Sequence, residues 1–295
     1  MALSGLLQPY ARLGNNLSPV TVTAFFVLNI GVISAIAVIL LYYFVGQKNV
    51  LFALLRREQE KSDNLLLNVL PKEIAVILKN ESRTIADKIE AVSVLFADVV
   101  GFTPLSAEMA PAEMVELLNE VFSYFDSLVA QYDLEKIRTI GDNYMVVAGA
   151  PRPRSDHAQA LAQMALDMRD YCNDRLLRPG RPLAFRIGIN SGPVMAGVIG
   201  RTKFHYDVWG DVVNTASRME SHGLPGKIQV TQATYELINS EFICEPRGLV
   251  SVKGKGDMNT WYLLNRRIID DQAMGRALQT LRQGERTDLG DGGTA

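Results

Sequence analysis

Ala91-Val-Ser-Val-Leu-Phe-Ala97 runs straight into Asp98-Val-Val-Gly-Phe-Thr103. The first half is short, apolar and rich in β-branched residues, which predicts a buried strand. An aspartate at the end of such a strand, with a glycine-containing turn behind it, presents a carboxylate and free backbone N–H groups at one spot. That combination serves a phosphate-bound cation: oxygen ligands suit Mg²⁺, and amides suit phosphate oxygens. A turn-capping aspartate explains the same six residues equally well.

Working outward towards the C-terminus, residues 112–131 have helical spacing in Met114, Leu117, Leu118, Val121, Phe122, Phe125, Leu128 and Val129. Lys136–Ile140 and Tyr144–Ala148 read as strands flanking Gly141-Asp142-Asn143, a hairpin signal. Residues 156–176 predict a second amphipathic helix. Leu183–Asn190 predicts a strand, followed by the glycine-rich Ser191–Gly200. Asp211–Ser221 predicts a helix, and shorter strands with one more helix follow to about Leu264. No internal repeat is visible. Strands and helices mix without regular βα alternation, so the expected class is α+β, with helices against a largely antiparallel sheet. The polar, glycine-rich Gly284–Ala295 is expected to be disordered.

Towards the N-terminus the pattern changes twice. Lys72–Lys79 reads as a short amphipathic helix, with Pro71 where one helix stops and another starts. Across residues 46–80, Leu51, Leu54, Leu55, Leu65, Leu66, Val69 and Leu70 recur at spacings of three and four, which suits a helix that pairs with a copy of itself. Val20 to Val45 contains no charged residue. At about 1.5 Å per residue it is long enough to cross a hydrocarbon core of roughly 30 Å. Its end, Leu-Tyr-Tyr-Phe-Val, resembles an aromatic interface belt, and a secretory signal would have a shorter apolar core. Arg12 is the only charge before the run, whereas Lys48, Arg56, Arg57 and Lys61 follow it. The positive-inside bias then places everything after Val45 in the cytoplasm and the first 19 residues outside. The expected organisation is a tail (1–19), a transmembrane helix (20–45), a helical linker (46–84), a catalytic domain (85–268) and a C-terminal tail (269–295).

Composition narrows the function. Hydrophobic residues are 48% and charged residues 21% of the 295, as in a folded domain rather than a disordered chain. A net charge of −2 gives no basic field for nucleic acid. Cys172 and Cys244, far apart and without a CxxC pattern, suggest neither a disulfide framework nor a zinc site.

Asp142 is the second carboxylate of interest. Gly-Asp-Asn is ordinary turn chemistry. Two strand-end aspartates meeting on adjacent strands, however, can bridge two metals for displacement at phosphorus. In Tyr206-Asp-Val-Trp-Gly-Asp-Val-Val-Asn-Thr-Ala-Ser-Arg-Met219, Asn214 and Arg218 are spaced i,i+4 on one helix face. An amide beside a guanidinium can hold a ribose oxygen and a phosphoryl group; a solvated helix face has the same spacing.

Together, Phe-Ala-Asp-Val-Val-Gly-Phe-Thr, Glu-Lys-Ile-Arg-Thr-Ile-Gly-Asp and Asp-Val-Trp-Gly-Asp-Val-Val-Asn-Thr-Ala-Ser-Arg resemble the class III adenylate and guanylate cyclases, over about residues 65–265. The pattern is similar to bacterial, mycobacterial-type membrane-anchored adenylate cyclases. The resemblance implies a ferredoxin-like cyclase catalytic domain acting on a purine nucleoside triphosphate. It also implies two divalent cations, Mg²⁺ or Mn²⁺, held by Asp98, Val99 and Asp142. Gly101, Phe102, Thr103 and Lys253 would bind phosphates, Asn214 would orient the ribose and Arg218 would stabilise the transition state. Arg138 and Asp207 would read the purine. In the family the site forms between two chains, and this chain carries both halves, so a homodimer is implied.

Arg138 departs from the pattern: adenylate cyclases usually have lysine there, and many guanylate cyclases have glutamate. Arginine can donate to adenine N1 or to the guanine 6-oxo group. Asp207 accepts from the adenine amine and would meet the guanine oxygen acceptor to acceptor. The expectation is therefore ATP as substrate, with GTP as the alternative. A catalytically silent dimerisation module would need none of these residues, and the Gly-Gly-Asp/Glu-Glu-Phe signature of diguanylate synthesis is absent.

Overall fold

The computed structural model describes residues 18–67, 69–81, 84–178, 181–200 and 203–267. The expected tails fall largely or wholly outside these residues. The chain divides into two units, one ending at Leu66 and one beginning at Leu67.

The first unit is essentially one helix, α1 (Pro19–Leu67), of 49 residues. At about 1.5 Å per residue it is roughly 70 Å long. Ser18 caps it, its Oγ accepting from the Thr21 amide at 3.2 Å, and Pro19 occupies the first turn, where a missing N–H costs nothing. It is long and apolar enough to cross a membrane. The expected change at residue 46 is not a break, because Gly46 has helix formers on both sides and no proline nearby to interrupt the ladder. The helix ends before Pro71, the residue the sequence marks as the point where one helix stops and another starts. Pro71 caps a separate helix, α2 (Lys72–Asn80), which buries Ile74 and Ala75.

The second unit is built on an eight-stranded sheet. In chain order its elements are β1 (Ala86–Val99), α3 (Phe102–Glu108), α4 (Pro111–Gln131), β2 (Glu135–Ile140), β3 (Asn143–Ala148), α5 (His157–Asn173), a small hairpin of β4 (Leu176–Arg178) and β5 (Arg181–Pro182), β6 (Phe185–Ile199), β7 (His205–Trp209), α6 (Asp211–Ser221), β8 (Ile228–Thr231), α7 (Gln232–Ile238), β9 (Phe242–Val252) and β10 (Gly256–Arg266). The strand order is β2-β3-β1-β6-β8-β10-β9, and β7 pairs with the outer end of β6. Every pair in this sheet is antiparallel except β6 with β8.

β1 is continuously apolar at its centre because helices cover both faces. Leu95, Ala97 and Val99 join Ile187 and Ile189 of β6 in a core completed by α4 and α5, with Phe125 and Leu161 fully buried. The other face of β6 takes α6. Gly188 makes that approach possible: a Cβ there would lie 2.0 Å from the Glu220 amide nitrogen. The glycine-rich stretch after Asn190 continues β6 to Ile199 rather than leaving the sheet, because β1 and β7 supply its hydrogen bonds. β9 and β10 are 11 residues each, longer than expected, since they pair chiefly with each other as a ribbon.

A buried polar thread crosses this core. Ser93 Oγ lies 2.8 Å from His157 Nδ1 and 2.6 Å from Ser191 Oγ, which lies 3.0 Å from Thr234 Oγ1. Thr231 donates to Asn190 Oδ1 at 2.7 Å, and Asn190 donates to the Val212 carbonyl of α6 at 3.1 Å. Each of these buried side chains therefore has a partner.

Candidate functional site

β1 ends at Asp98 and Val99, and the chain turns through Gly101, whose φ of 70° favours glycine, into α3, which begins with Phe102 and Thr103. Asp142 sits at the β2–β3 turn, and β3 is the neighbour of β1, so the hairpin tip comes beside the end of β1. The Asp142 carboxyl is pushed above its usual range by burial and then by the adjacent Asp98 charge, while a backbone hydrogen bond from Val99 opposes the shift. These two carboxylates crowd one point, and binding a cation would relieve their repulsion. Among the described residues no third His, Cys, Asp or Glu completes a metal cluster. The donor set suits a hard cation that takes its remaining oxygens from water and phosphate.

Asp98 has a partner that the sequence did not reveal. Arg186 of β6 lies directly opposite it in the antiparallel register. Its Nη2 donates to Asp98 Oδ2 at 2.5 Å, and its Nε donates to Glu220 Oε1 at 3.1 Å. Burial and the Asp98 charge push Glu220 up to about 7 against the pull of Arg186. A lone arginine near the start of a strand and a glutamate on the buried side of a helix are the available sequence signals. Neither identifies the other without the register.

Arg138 on β2 and Asp207 on β7 meet: Arg138 Nη1 donates to Asp207 Oδ2 at 2.7 Å. Asp207 is 4% exposed, and its Oδ1 accepts from the Val208 amide at 2.8 Å. Arg138 Nε is buried without a hydrogen-bond partner.

Asn214 and Arg218 point outward from α6, whose opposite side, Val212, Thr215, Ala216 and Met219, is buried. Asn214 lines two grooves. Arg138, Phe96, Ile140 and Asn143 border one; Arg218, Lys253 and Lys255 border the other. Lys255 pairs with Asp211 at the first turn of α6. Arg138, Asn214, Arg218 and Lys253 thus border two grooves joined at Asn214. Neither Asp98 nor Asp142 lines either groove.

Comparison with known proteins fits this arrangement. Residues 85–265 match the family model described as the adenylate and guanylate cyclase catalytic domain. An adenylate cyclase of Mycobacterium tuberculosis is 50% identical over 220 residues, which are 74% of this chain and 50% of the relative. The rat guanylate cyclase soluble subunit beta-2 is 43% identical over 74% of this chain and 33% of its own length. This chain thus spans about half the mycobacterial relative's length. The solved catalytic core of a rhodopsin-guanylyl cyclase with converted specificity, in complex with ATPalphaS, is 39% identical, with a TM-score of 0.59, covering 61% of this chain and 98% of that one. The match to the family model extends from just before β1 to the end of β10, and the chain belongs to the class III adenylate and guanylate cyclases.

Proposed function

We propose that this chain is a membrane-anchored adenylate cyclase that converts ATP into 3′,5′-cyclic AMP and pyrophosphate at sites shared between two copies. The observation that carries the substrate assignment is the Arg138–Asp207 pair. Asp207 is a buried acceptor, and it lies beside a donor that cannot lose its proton. Adenine offers the complement: the 6-amino group donates to Asp207, and N1 accepts from Arg138. Arg138 exchanges part of its ion pair for the base, and its buried Nε supplies a further unpartnered donor.

In the reaction, the ribose 3′-oxygen attacks the α-phosphorus, its proton leaves, and the bond to the β,γ-pyrophosphate breaks. Asn214 holds the ribose so that the oxygen is in line, which lowers the entropic part of the barrier. Arg218 donates to the α-phosphoryl oxygens, where negative charge grows, and Lys253 neutralises the terminal phosphates. Gly101, Phe102 and Thr103 offer backbone amides to phosphate beside Asp98, and the Val99 carbonyl stands ready to join the carboxylates. Asp98 and Asp142 are suited to hold two Mg²⁺ or Mn²⁺ ions, which when bound acidify the attacking hydroxyl and screen the triphosphate. Asn214 and Arg218 face away from their own chain's core, and this supports a site completed by the carboxylates of a second copy. Through α1 the dimer would be anchored in the cell (inner) membrane, with the N-terminus outside and the catalytic domain in the cytoplasm.

A guanylate cyclase is the second reading, favoured by the 43% identity to the rat enzyme and by an Arg138 that can also donate to the guanine 6-oxo group. The kcat/KM ratio for ATP over GTP, with products identified by mass, tests the proposal. A ratio above one is expected, and a ratio below one assigns the protein to GTP.

A further inference from the structure

The turn between β9 and β10, Lys253-Gly-Lys255, carries two lysines, of which the proposed chemistry uses one. Val252, the last residue of β9, is buried with Met219 and Val250 in a small apolar cluster that seats the ribbon against α6. The turn beyond it is tight: the Lys255 amide donates to the Val252 carbonyl at 2.9 Å, and Gly254 has a φ of 84°, which favours glycine. Among the described residues, one side-chain contact ties this turn to α6, the Lys255 ammonium donating to Asp211 Oδ2. Asp211, Asn214, Thr215 and Arg218 follow one another along one face of α6 and border the same groove as the two lysines. Asp211 is thus an anion on a groove otherwise suited to phosphates.

We propose that Lys255 is a positioning residue for Lys253: its ion pair with Asp211 fastens the turn to the start of α6 and so holds Lys253 beside the groove that Arg218 borders. The inference rests on the proposed reading of Lys253 as the residue that neutralises the terminal phosphates. A lysine ammonium is a point charge on a flexible stem, so it is only as well placed as the backbone that carries it. Here that backbone has a glycine on each side of Lys255, Gly254 and Gly256, and glycine is the residue least able to stiffen a chain. The apolar anchor stops at Val252, one residue short of Lys253. The pair also accounts for Asp211. An unpaired carboxylate on the groove would repel a triphosphate, whereas one paired with Lys255 adds no net charge. The Asp211 side chain is 68% exposed, so water alone would satisfy it and the fold does not require the contact.

The test is steady-state kinetics of the full detergent-solubilised chain with ATP and Mn²⁺, together with inhibition by inorganic pyrophosphate. Asp211→Asn should raise both the KM for ATP and the inhibition constant of pyrophosphate by about threefold, within the range open to a partly exposed ion pair. If Asp211 acts on phosphate through its charge alone, the same substitution removes a repelling carboxylate and both constants fall, which overturns the proposal. Lys255→Met should raise both constants as Asp211→Asn does. Lys255→Arg, which can keep the pair, should stay within about twofold of wild type, and an arginine variant as weak as Lys255→Met counts against the tether. In a Lys253→Met background, Asp211→Asn should have no further effect, since nothing is left to position. An undiminished effect there, or wild-type constants in Asp211→Asn, overturns the tether while leaving Lys253 as a phosphate-binding residue. Wild-type constants in Lys253→Met overturn the phosphate reading of Lys253 itself, and the tether with it.

Discussion

Asp98 at the end of β1 and Asp142 in the β2–β3 turn lie side by side, and one carboxylate cannot hold two cations at catalytic spacing. Replacing either with Ala should lower turnover by at least about a thousandfold, with the melting temperature within a few degrees of wild type. Activity near wild type in either folded variant would remove that residue from the site. Asp207→Ala should reduce the kcat/KM ratio for ATP over GTP more than it reduces overall turnover, because the proposed site sets the aspartate against the base and not the reacting phosphate. A third residue affects stability instead. Glu135 is pushed up to about 7 by burial and by its neighbours Glu73 and Asp133, against the opposing charge of Arg152. The folded chain keeps this proton to about 7, whereas an unfolded glutamate loses it near 4.5. Between those values the folded state binds more protons, so this group's contribution falls as pH rises through that window. Glu135→Gln should therefore gain melting temperature relative to wild type between pH 5 and pH 8, and a pH-independent difference would contradict the shift. The positions of Asp98 at a strand end, Asp142 in a turn and Asn214 and Arg218 on one helix face were legible because these are local features, whereas the roles expected of them came from the family resemblance alone. Arg186 and Glu220 were not legible, because their meeting depends on a register 88 residues apart for one contact and a helix approach 34 residues apart for the other.

Among the elements, α6 depends most on its neighbour. Gly188→Ala would put a methyl carbon about 2.0 Å from the Glu220 amide nitrogen, so α6 must move off β6. Overpacking of this kind typically costs about 1–3 kcal/mol, and here the displaced helix carries Asn214 and Arg218. Thermal melting and turnover should both fall, and an unchanged melting temperature would contradict the close approach. The boundaries of α4, α6, β2 and β3 were legible to within a residue or two, since apolar periodicity and the Gly-Asp-Asn turn are strong short-range signals. β6 was not legible beyond Asn190. Glycine and proline in Ser191–Gly200 look like a loop, and only the pairing with β1 and β7 makes that stretch a strand. The polar thread from His157 to Val212 was likewise invisible, because its partners come from segments that only the folded sheet brings together. On α1, Leu51, Leu54, Leu55 and Leu65 are each more than half exposed within one chain. If they pair with a second copy, charged substitutions at Leu66 and Val69 should lower activity more at dilute protein than at high concentration. Equal losses at all concentrations would argue against pairing there.

For the molecule as a whole, the proposed function turns on one chain carrying two half-sites. Asp98 and Asp142 sit at one point, and Arg138, Asn214, Arg218 and Lys253 border grooves that neither aspartate lines. A two-fold dimer would bring the carboxylates of one chain to the grooves of the other, twice. The measurement that tests this most directly is cyclic AMP formation from ATP after Asp98→Ala chains and Arg218→Ala chains, each inactive alone, are mixed and allowed to exchange. In a heterodimer one site receives both defects and the other receives none. Random exchange should therefore return about a quarter of the wild-type rate. Continued inactivity, with heterodimers demonstrated, would place the whole site within a single chain and contradict the account.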